Sequence, residues 1–297
     1  MGDPTDPDAP VLAIDVGGTK LAAAVVEADG TLVSRAQGGT PADGSAEELF
    51  SSLMAVVAAA RQTAPDDGTR PPSVCGVGCG GPMTRGGEAV SPLNIPAWRD
   101  FPLRSRLEAT LEMPTFVDND AKALALGEGW LGAAQGHDHF LAMVVSTGVG
   151  GGIVLDGRLL DGAHGNAGHI GHVVVEPDGR RCGCGSRGCL EAEASGLAIE
   201  AVTGRPPSAA DGATVERTGR LVGRAVATVA ALLDLPLAVV AGSVALGFGP
   251  PFFAAAQAEI DARARIEFAR GCRIVPAGLG DRGPLVGAAA VALRARH

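Results

Sequence analysis

Asp118-Asn119-Asp120 places two carboxylates around one amide, where an expected strand over 115–118 runs into an expected helix over 121–132. A carboxylate at such a junction can take the proton from an alcohol within hydrogen-bond reach. Asp120 is assigned that role, and Asn119 is assigned to orient a neighbouring hydroxyl. Asp and Asn also cap helices, and one residue can cap while its neighbour does chemistry. Two glycine-rich stretches supply the other half of a reaction. Asp15-Val16-Gly17-Gly18-Thr19-Lys20 falls at a strand-to-strand turn. Paired glycines let the backbone approach a bulky anion and aim N–H groups at it. Thr19 adds a hydroxyl and Lys20 a charge, while the oxygen ligands of Asp15 suit Mg²⁺, bound directly or through water. Taken alone, this stretch also fits an ordinary Gly-Gly hairpin; it lacks the spacing of a Walker A loop. Ser146-Thr147-Gly148-Val149-Gly150-Gly151-Gly152 repeats the logic after a second apolar strand. Two such loops can grip the phosphates of one nucleotide from two sides.

The strongest local signal is His172 followed by Cys182-Gly-Cys184 and, after four more residues, Cys189. Three thiolates and one imidazole make a closed tetrahedral zinc set, which folds a loop with little core of its own and leaves no open position to activate water. Cys75, Cys79 and Cys272 stand apart in apolar settings and are expected to be small buried hydrophobes. With the loop pinned, His169 and Glu191 are placed to face a polyhydroxylated ligand. His137, His139 and His164 are expected on the surface or in loops. Asn94, inside Pro92-Leu93-Asn94-Ile95-Pro96-Ala97-Trp98, is either a turn former or a ligand contact.

Positioning these residues requires alternating strands and helices. Strands are expected over 11–15, 21–26, 31–36, 74–78, 115–118, 140–146, 153–155, 237–241 and 274–276. Helices are expected over 45–64, 100–111, 121–132, 212–233, 252–269 and 287–296, with loops over 66–72 and 205–212. Ser45 and Glu48 form a capping-box pattern ahead of the first helix. The alternation is that of an α/β protein. Strand–turn–strand order at the start and again from Phe140 implies two related, partly antiparallel units and a cleft between two lobes. The chain has 297 residues, 46% of them hydrophobic, and a net charge of −9. That balance argues against partners that need a basic face, nucleic acid and acidic membrane. No apolar run approaches the ~18 residues of a membrane span, and the acidic, Pro-rich start resembles no targeting signal, so a cytoplasmic location is expected.

Together these motifs resemble the ROK family (repressor, open reading frame, kinase), in particular its glucokinase-like sugar kinases. The matches are Asp15 to Lys20, Asn94 before Pro96 and Trp98, Asn119-Asp120-Ala121, Thr147 to Gly152, Gly171-His172, and Cys182 to Glu191. The resemblance implies an actin-like ATPase (ribonuclease H-like) fold, with a small lobe of 1–118 plus 285–297 and a large lobe of 119–284 that carries the zinc loop. It implies Mg²⁺-ATP as phosphoryl donor, Asp120 as base at a sugar 6-hydroxyl, sugar contacts from Asn94, Asn119, His172 and Glu191, and a homodimer. His172 would ligate zinc through its other nitrogen. Gly242, in Ala241-Gly242-Ser243, would lie near the nucleotide, where the family often carries a Gly-Gly pair. A helix-turn-helix, as in the repressor members, is not expected ahead of Asp15. Where this chain has His169, the family's sugar kinases usually have Glu. That difference raises a modified hexose as an alternative substrate to glucose: an amino sugar such as kanosamine, N-acetylmannosamine or N-acetylglucosamine, or a cyclitol. Polyphosphate is an alternative donor, and a catalytically silent sugar-binding protein is the non-enzyme alternative.

Overall fold

The computed structural model describes residues 6–62 and 70–295. They form two units: Met1–Leu131, Asp161–Ala167 and Asp281–His297 in the first, and Gly132–Leu160 with Gly168–Gly280 in the second.

In the first unit, β1 (Val11–Val16), β2 (Lys20–Val26), β3 (Leu32–Gly39), β4 (Val74–Cys79) and β5 (Thr115–Asn119) make one sheet in the order β3-β2-β1-β4-β5. β1 runs antiparallel to β2 and parallel to β4, which is parallel to β5. Because side chains alternate across a strand, each strand feeds two cores. Leu12, Ile14 and Val16 join Cys75, Val77 and Cys79 under α1 (Ala46–Gln62) and α2 (Leu103–Leu111). Val11, Ala13, Ala22, Ala24 and Val74 pack on the opposite face against Leu285, Ala288, Ala289 and Ala292 of α9 (Gly283–Arg294). Small residues let α9 lie close to the sheet: a Cβ on Gly76 would come within 2.0 Å of the Ala288 carbonyl oxygen. The capping box forms as expected, with Ser45 N donating to Glu48 at 2.7 Å and Glu48 N donating to Ser45 Oγ at 3.2 Å.

The second unit repeats the plan. β6 (Phe140–Val145), β7 (Val149–Leu155), β8 (Arg158–Leu159), β9 (Leu237–Ala241) and β10 (Arg273–Pro276) make a sheet in the order β10-β9-β6-β7-β8, with β6 antiparallel to β7 and parallel to β9. Its core is roofed by α6 (Gly212–Leu233) and α8 (Pro250–Arg263), with Phe252, Ala256 and Ile260 packed among Leu221, Val222 and Val226. Cys272 is buried here, as Cys75 and Cys79 are in the first unit.

Several boundaries depart from the sequence reading. Helix α3 (Asp120–Leu131) belongs to the first unit, so the expected division after residue 118 falls after Leu131 instead. Close packing on α9 holds it there: a Cβ on Gly287 would sit 2.5 Å from the Ala123 carbonyl oxygen. The segment Asp161–Ala167 is likewise part of the first unit and not of a large lobe. α2 starts at Leu103, after Pro102 and the left-handed Asp100 (φ 49°). β7 starts at Val149, so Gly150, Gly151 and Gly152 are strand residues and not loop. α8 ends at Arg263, before a separate 3₁₀ turn over Glu267–Ala269. The closing helix starts at Gly283. Short helices α4 (Leu190–Ala194), α5 (Gly196–Thr203) and α7 (Ser243–Phe248) fill stretches where no helix was expected. Residues 63–64 of the expected first helix, 66–69 of the following loop and residue 296 of the last helix lie outside the described residues.

Candidate active site

In the first unit the candidate residues gather at the carboxyl ends of the parallel strands, the end where open α/β sheets bind ligands. Asp15, next to last in β1, is in register with Gly78 of β4, and Gly78 is in register with Asp118 of β5. Gly78 leaves room between them: a Cβ there would contact the Asp15 carboxylate at 3.8 Å and the Asp120 Cα at 3.6 Å. Asn119 and Asp120 divide two tasks. Asn119 is buried and caps α3, its Oδ1 accepting from Ala121 N at 3.0 Å and from Lys122 N at 3.4 Å. Asp120 is exposed at the first position of the helix, and its Oδ1 accepts from Ala121 N at 2.8 Å. The Asn119 amide oxygen is therefore occupied with the fold, while the Asp120 carboxylate is exposed at the positive end of α3.

Burial raises the Asp15 carboxyl to about 7; the neighbouring Asp120 charge pushes the same way and Lys20 opposes it. Two carboxylates this close favour a cation between or beside them. The turn over Gly17 and Gly18 is fixed by Gly17 N donating to Lys20 O at 2.9 Å and by Thr40 Oγ1 donating to Gly17 O at 2.7 Å. Gly18 lies directly against Asn94, where an added Cβ would stand 2.7 Å from the Asn94 Cβ. Asn94 and Thr19 are both exposed. Asp15, Gly17, Gly18, Thr19, Lys20, Asn94, Asn119 and Asp120 thus fall on one end of one sheet.

The second unit gathers the others. Glu191, in the first turn of α4, accepts from Val149 N at 3.0 Å, so its carboxylate lies at the start of β7 beside Gly148. The glycines of β7 serve close packing. Gly168 (φ 100°) and Gly151 approach so tightly that a Cβ on Gly168 would meet the Gly151 oxygen at 2.4 Å. This seats the turn carrying His169 and His172 against the strand, with the two imidazoles 6.2 Å apart and nearly parallel. Thr147 is exposed between β6 and β7, Gly150 pairs with Val144 in the ladder, and Gly242 (φ 101°) follows β9 and lies against the Val145 backbone. Ser146 and Ser243 hydroxyls meet there at 2.9 Å, joining the Gly148 and Gly242 turns.

His172, Cys182, Cys184 and Cys189 converge, with all four ligand atoms within 4.8 Å of one another. Nδ1 of His172 lies 3.7 Å from Cys182 Sγ, and Cys184 Sγ lies 3.7 Å from Cys189 Sγ. Zinc–sulfur bonds of about 2.3 Å in a tetrahedron put sulfurs about 3.8 Å apart, so the donor set fits a structural zinc ion. The loop is braced from outside the cluster. Buried Glu193 accepts from Arg180 N at 2.7 Å and from Arg217 at 2.7 Å. Burial opposes ionisation of Glu193, but these donors prevail and hold its carboxyl below the ordinary range.

One cluster was not singled out from the sequence. Lys122, 2% exposed, pairs with Asp118 at 2.9 Å and Asp161 at 2.8 Å and donates to Gly165 O at 3.1 Å. Arg294 adds a bond to Asp161 at 2.8 Å. The i,i+4 spacing of Asp118 and Lys122 was visible, but Asp161 and Arg294 are distant in sequence.

The ROK family model matches residues 11–295. The chain belongs to the ROK family. An N-acetylmannosamine kinase of Yersinia pseudotuberculosis is 38% identical over 253 residues, covering 80% of this chain and 84% of the relative. A glucokinase of Thermotoga maritima is 38% identical over 195 residues, covering 65% of this chain and 59% of that protein. The crystal structure of a ROK family glucokinase from Streptomyces griseus, in complex with glucose and AMPPNP, superposes with a TM-score of 0.81 at 30% identity, covering 95% of this chain and 98% of that one. The paired sheets of like strand order agree with the actin-like fold expected of this family. Among the described residues, no helix is long and apolar enough to cross a membrane.

Proposed function

We propose that this ROK protein is a sugar kinase that moves the terminal phosphoryl group of Mg²⁺-ATP to the 6-hydroxyl of a glucose-like hexose, with Asp120 as base. The observation that carries the proposal is the exposed Asp120 carboxylate beside Asp15 and the Gly17-Gly18 turn, with the capping duty taken by Asn119. Asp120 accepts the hydroxyl proton as the sugar oxygen forms its bond to phosphorus. The bond from that phosphorus to its bridging oxygen breaks, and ADP leaves. Backbone N–H groups at Gly18-Thr19 and at Thr147-Gly148 bind phosphate oxygens. Asp15 would hold Mg²⁺, which when bound neutralises charge on the transferring group. Asn94, His169, His172, Glu191 and, through its Nδ2 alone, Asn119 bind sugar hydroxyls, and His172 turns its Nδ1 to the zinc cluster.

His169 supports a second reading, an amino sugar such as N-acetylmannosamine. Exposed at the start of its turn, it brings an imidazole that both donates and accepts, where a carboxylate only accepts. An acylamino group offers both an N–H and a carbonyl to such a partner. Sugar-dependent ADP release, measured across glucose, mannose, glucosamine, kanosamine and the N-acetylhexosamines, tests both readings. A kcat/KM for glucose well above the rest removes the amino-sugar reading, and absence of ADP release with every sugar removes the kinase.

A further inference from the structure

A separate cavity of about 340 Å³ opens in the first unit, bounded by Arg85, Arg104, Asp118, Lys122, Asp161 and Arg294. That is the size of a small-metabolite site. Its charges do not cancel. Lys122 and Arg294 are matched by Asp118 and Asp161, at 2.8–2.9 Å for the three closest contacts. Among the described residues Arg104 is only half matched: Nη2 pairs with Glu88, while Nε is buried with no hydrogen-bond partner. Among the described residues, Arg85 makes no ion pair or hydrogen bond, and it stands exposed beside Gly165. A buried guanidinium N–H without an acceptor is costly, and a second arginine at the same opening completes a pair of forks of the geometry that oxyanions fit. The apolar part of the wall, Phe116 and Val291 among it, leaves room for a carbon body behind the charged head.

We infer that this cavity binds a small organic oxyanion, a phosphate monoester or a carboxylate, held by the guanidinium groups of Arg85 and Arg104. The site is distinct from the glycine turns. Asp118 and Lys122, which form its inner wall, flank Asp120 in sequence, so an occupant bears on the helix that carries the base.

Calorimetric titration of the full chain with glycerol 3-phosphate, inorganic phosphate and malonate tests the site, with glycerol as the uncharged control. Saturable binding of at least one anion is expected, absent for glycerol. Arg85→Gln and Arg104→Gln should each weaken it by about tenfold or more, the loss expected when a charge-assisted bond is removed. Asp120→Asn should leave it unchanged. Arg85 is exposed and makes no ion pair or hydrogen bond among the described residues, so its replacement keeps the fold even where Arg104→Gln does not. Which of phosphate and malonate binds more tightly separates the two head groups. Absence of saturable binding, or binding that Arg85→Gln leaves intact, overturns the inference. Because no turnover is needed, the result stands apart from whether the chain phosphorylates sugars.

Discussion

Asp120→Asn tests the proposed base apart from the fold. The substitution keeps an oxygen that can accept from Ala121 N, the 2.8 Å bond now made by Asp120 Oδ1. It removes a negative charge from the first turn of α3, which costs about 0.3–1 kcal/mol. It also removes the charge that helps raise Asp15, which offsets part of that cost. The side chain is exposed, so no cavity forms. The net change in stability should therefore stay within about 1 kcal/mol. Activity should fall by about 10²–10⁴, the contribution of a positioned base, equivalent to roughly 3–5 kcal/mol at the transition state. The companion variant Asn119→Ala does the reverse on the stability side: it deletes a buried cap that accepts from two backbone N–H groups and should cost about 1–2 kcal/mol. Denaturant unfolding and sugar-dependent ADP release, run on both variants, give the comparison. If Asp120→Asn keeps more than a tenth of wild-type kcat, or if its loss of activity merely follows loss of fold, Asp120 is a helix-end residue and not the base.

Three further outcomes follow from the same geometry. Asp15 has its folded pKa raised to about 7 against an ordinary carboxyl near 3.8, so the folded chain holds a proton that the unfolded chain has released. Its contribution to stability must therefore fall as pH rises from about 4 to 7; the difference in unfolding free energy between wild type and Asp15→Asn, measured without divalent cations, should show that slope, and a pH-independent difference contradicts it. The four-donor cluster should return about one zinc per chain by metal analysis, and Cys184→Ser or a strong chelator should lower both zinc content and the protease resistance of residues 173–190; full resistance in metal-free protein contradicts a structural zinc. Lys122→Met leaves Asp118 and Asp161 without their central cation and should cost about 3–5 kcal/mol, read by chemical denaturation, whereas a loss below 1 kcal/mol would show that Arg294 alone neutralises both acids.

Much of the site could be read from neighbouring residues in the chain. The cysteine spacing, the glycine pairs and the carboxylate at the strand end are local patterns, and local geometry is what each needs: thiolates close enough to share an ion, N–H groups aimed by a turn, an acid at a helix start. The first and second glycine stretches looked alike but differ in structure. Gly17 and Gly18 do form a turn, whereas Gly150 to Gly152 lie within β7. Glycine content alone cannot distinguish a loop that must bend from a strand that another backbone must approach, and the approach of Gly168 to Gly151 is a tertiary fact. The same limit hid the extent of the first unit. Periodicity found α3 and α9, but only their packing shows that residues 119–131 belong with the first sheet.

The sequence by itself determined the alternation of strands and helices, the strand–turn–strand plan shared by two units, the His/Cys cluster and the carboxylate that opens α3, because each depends on residues a few positions apart. Tertiary structure alone decided that Asn119 caps while Asp120 stands exposed, that Gly18 touches Asn94, and that Asp118, Asp161 and Arg294 share one charge cluster around buried Lys122. Those outcomes rest on how helices and segments far apart in the chain settle against a sheet, where burial and charge pairing act through space and leave no periodic mark along the sequence.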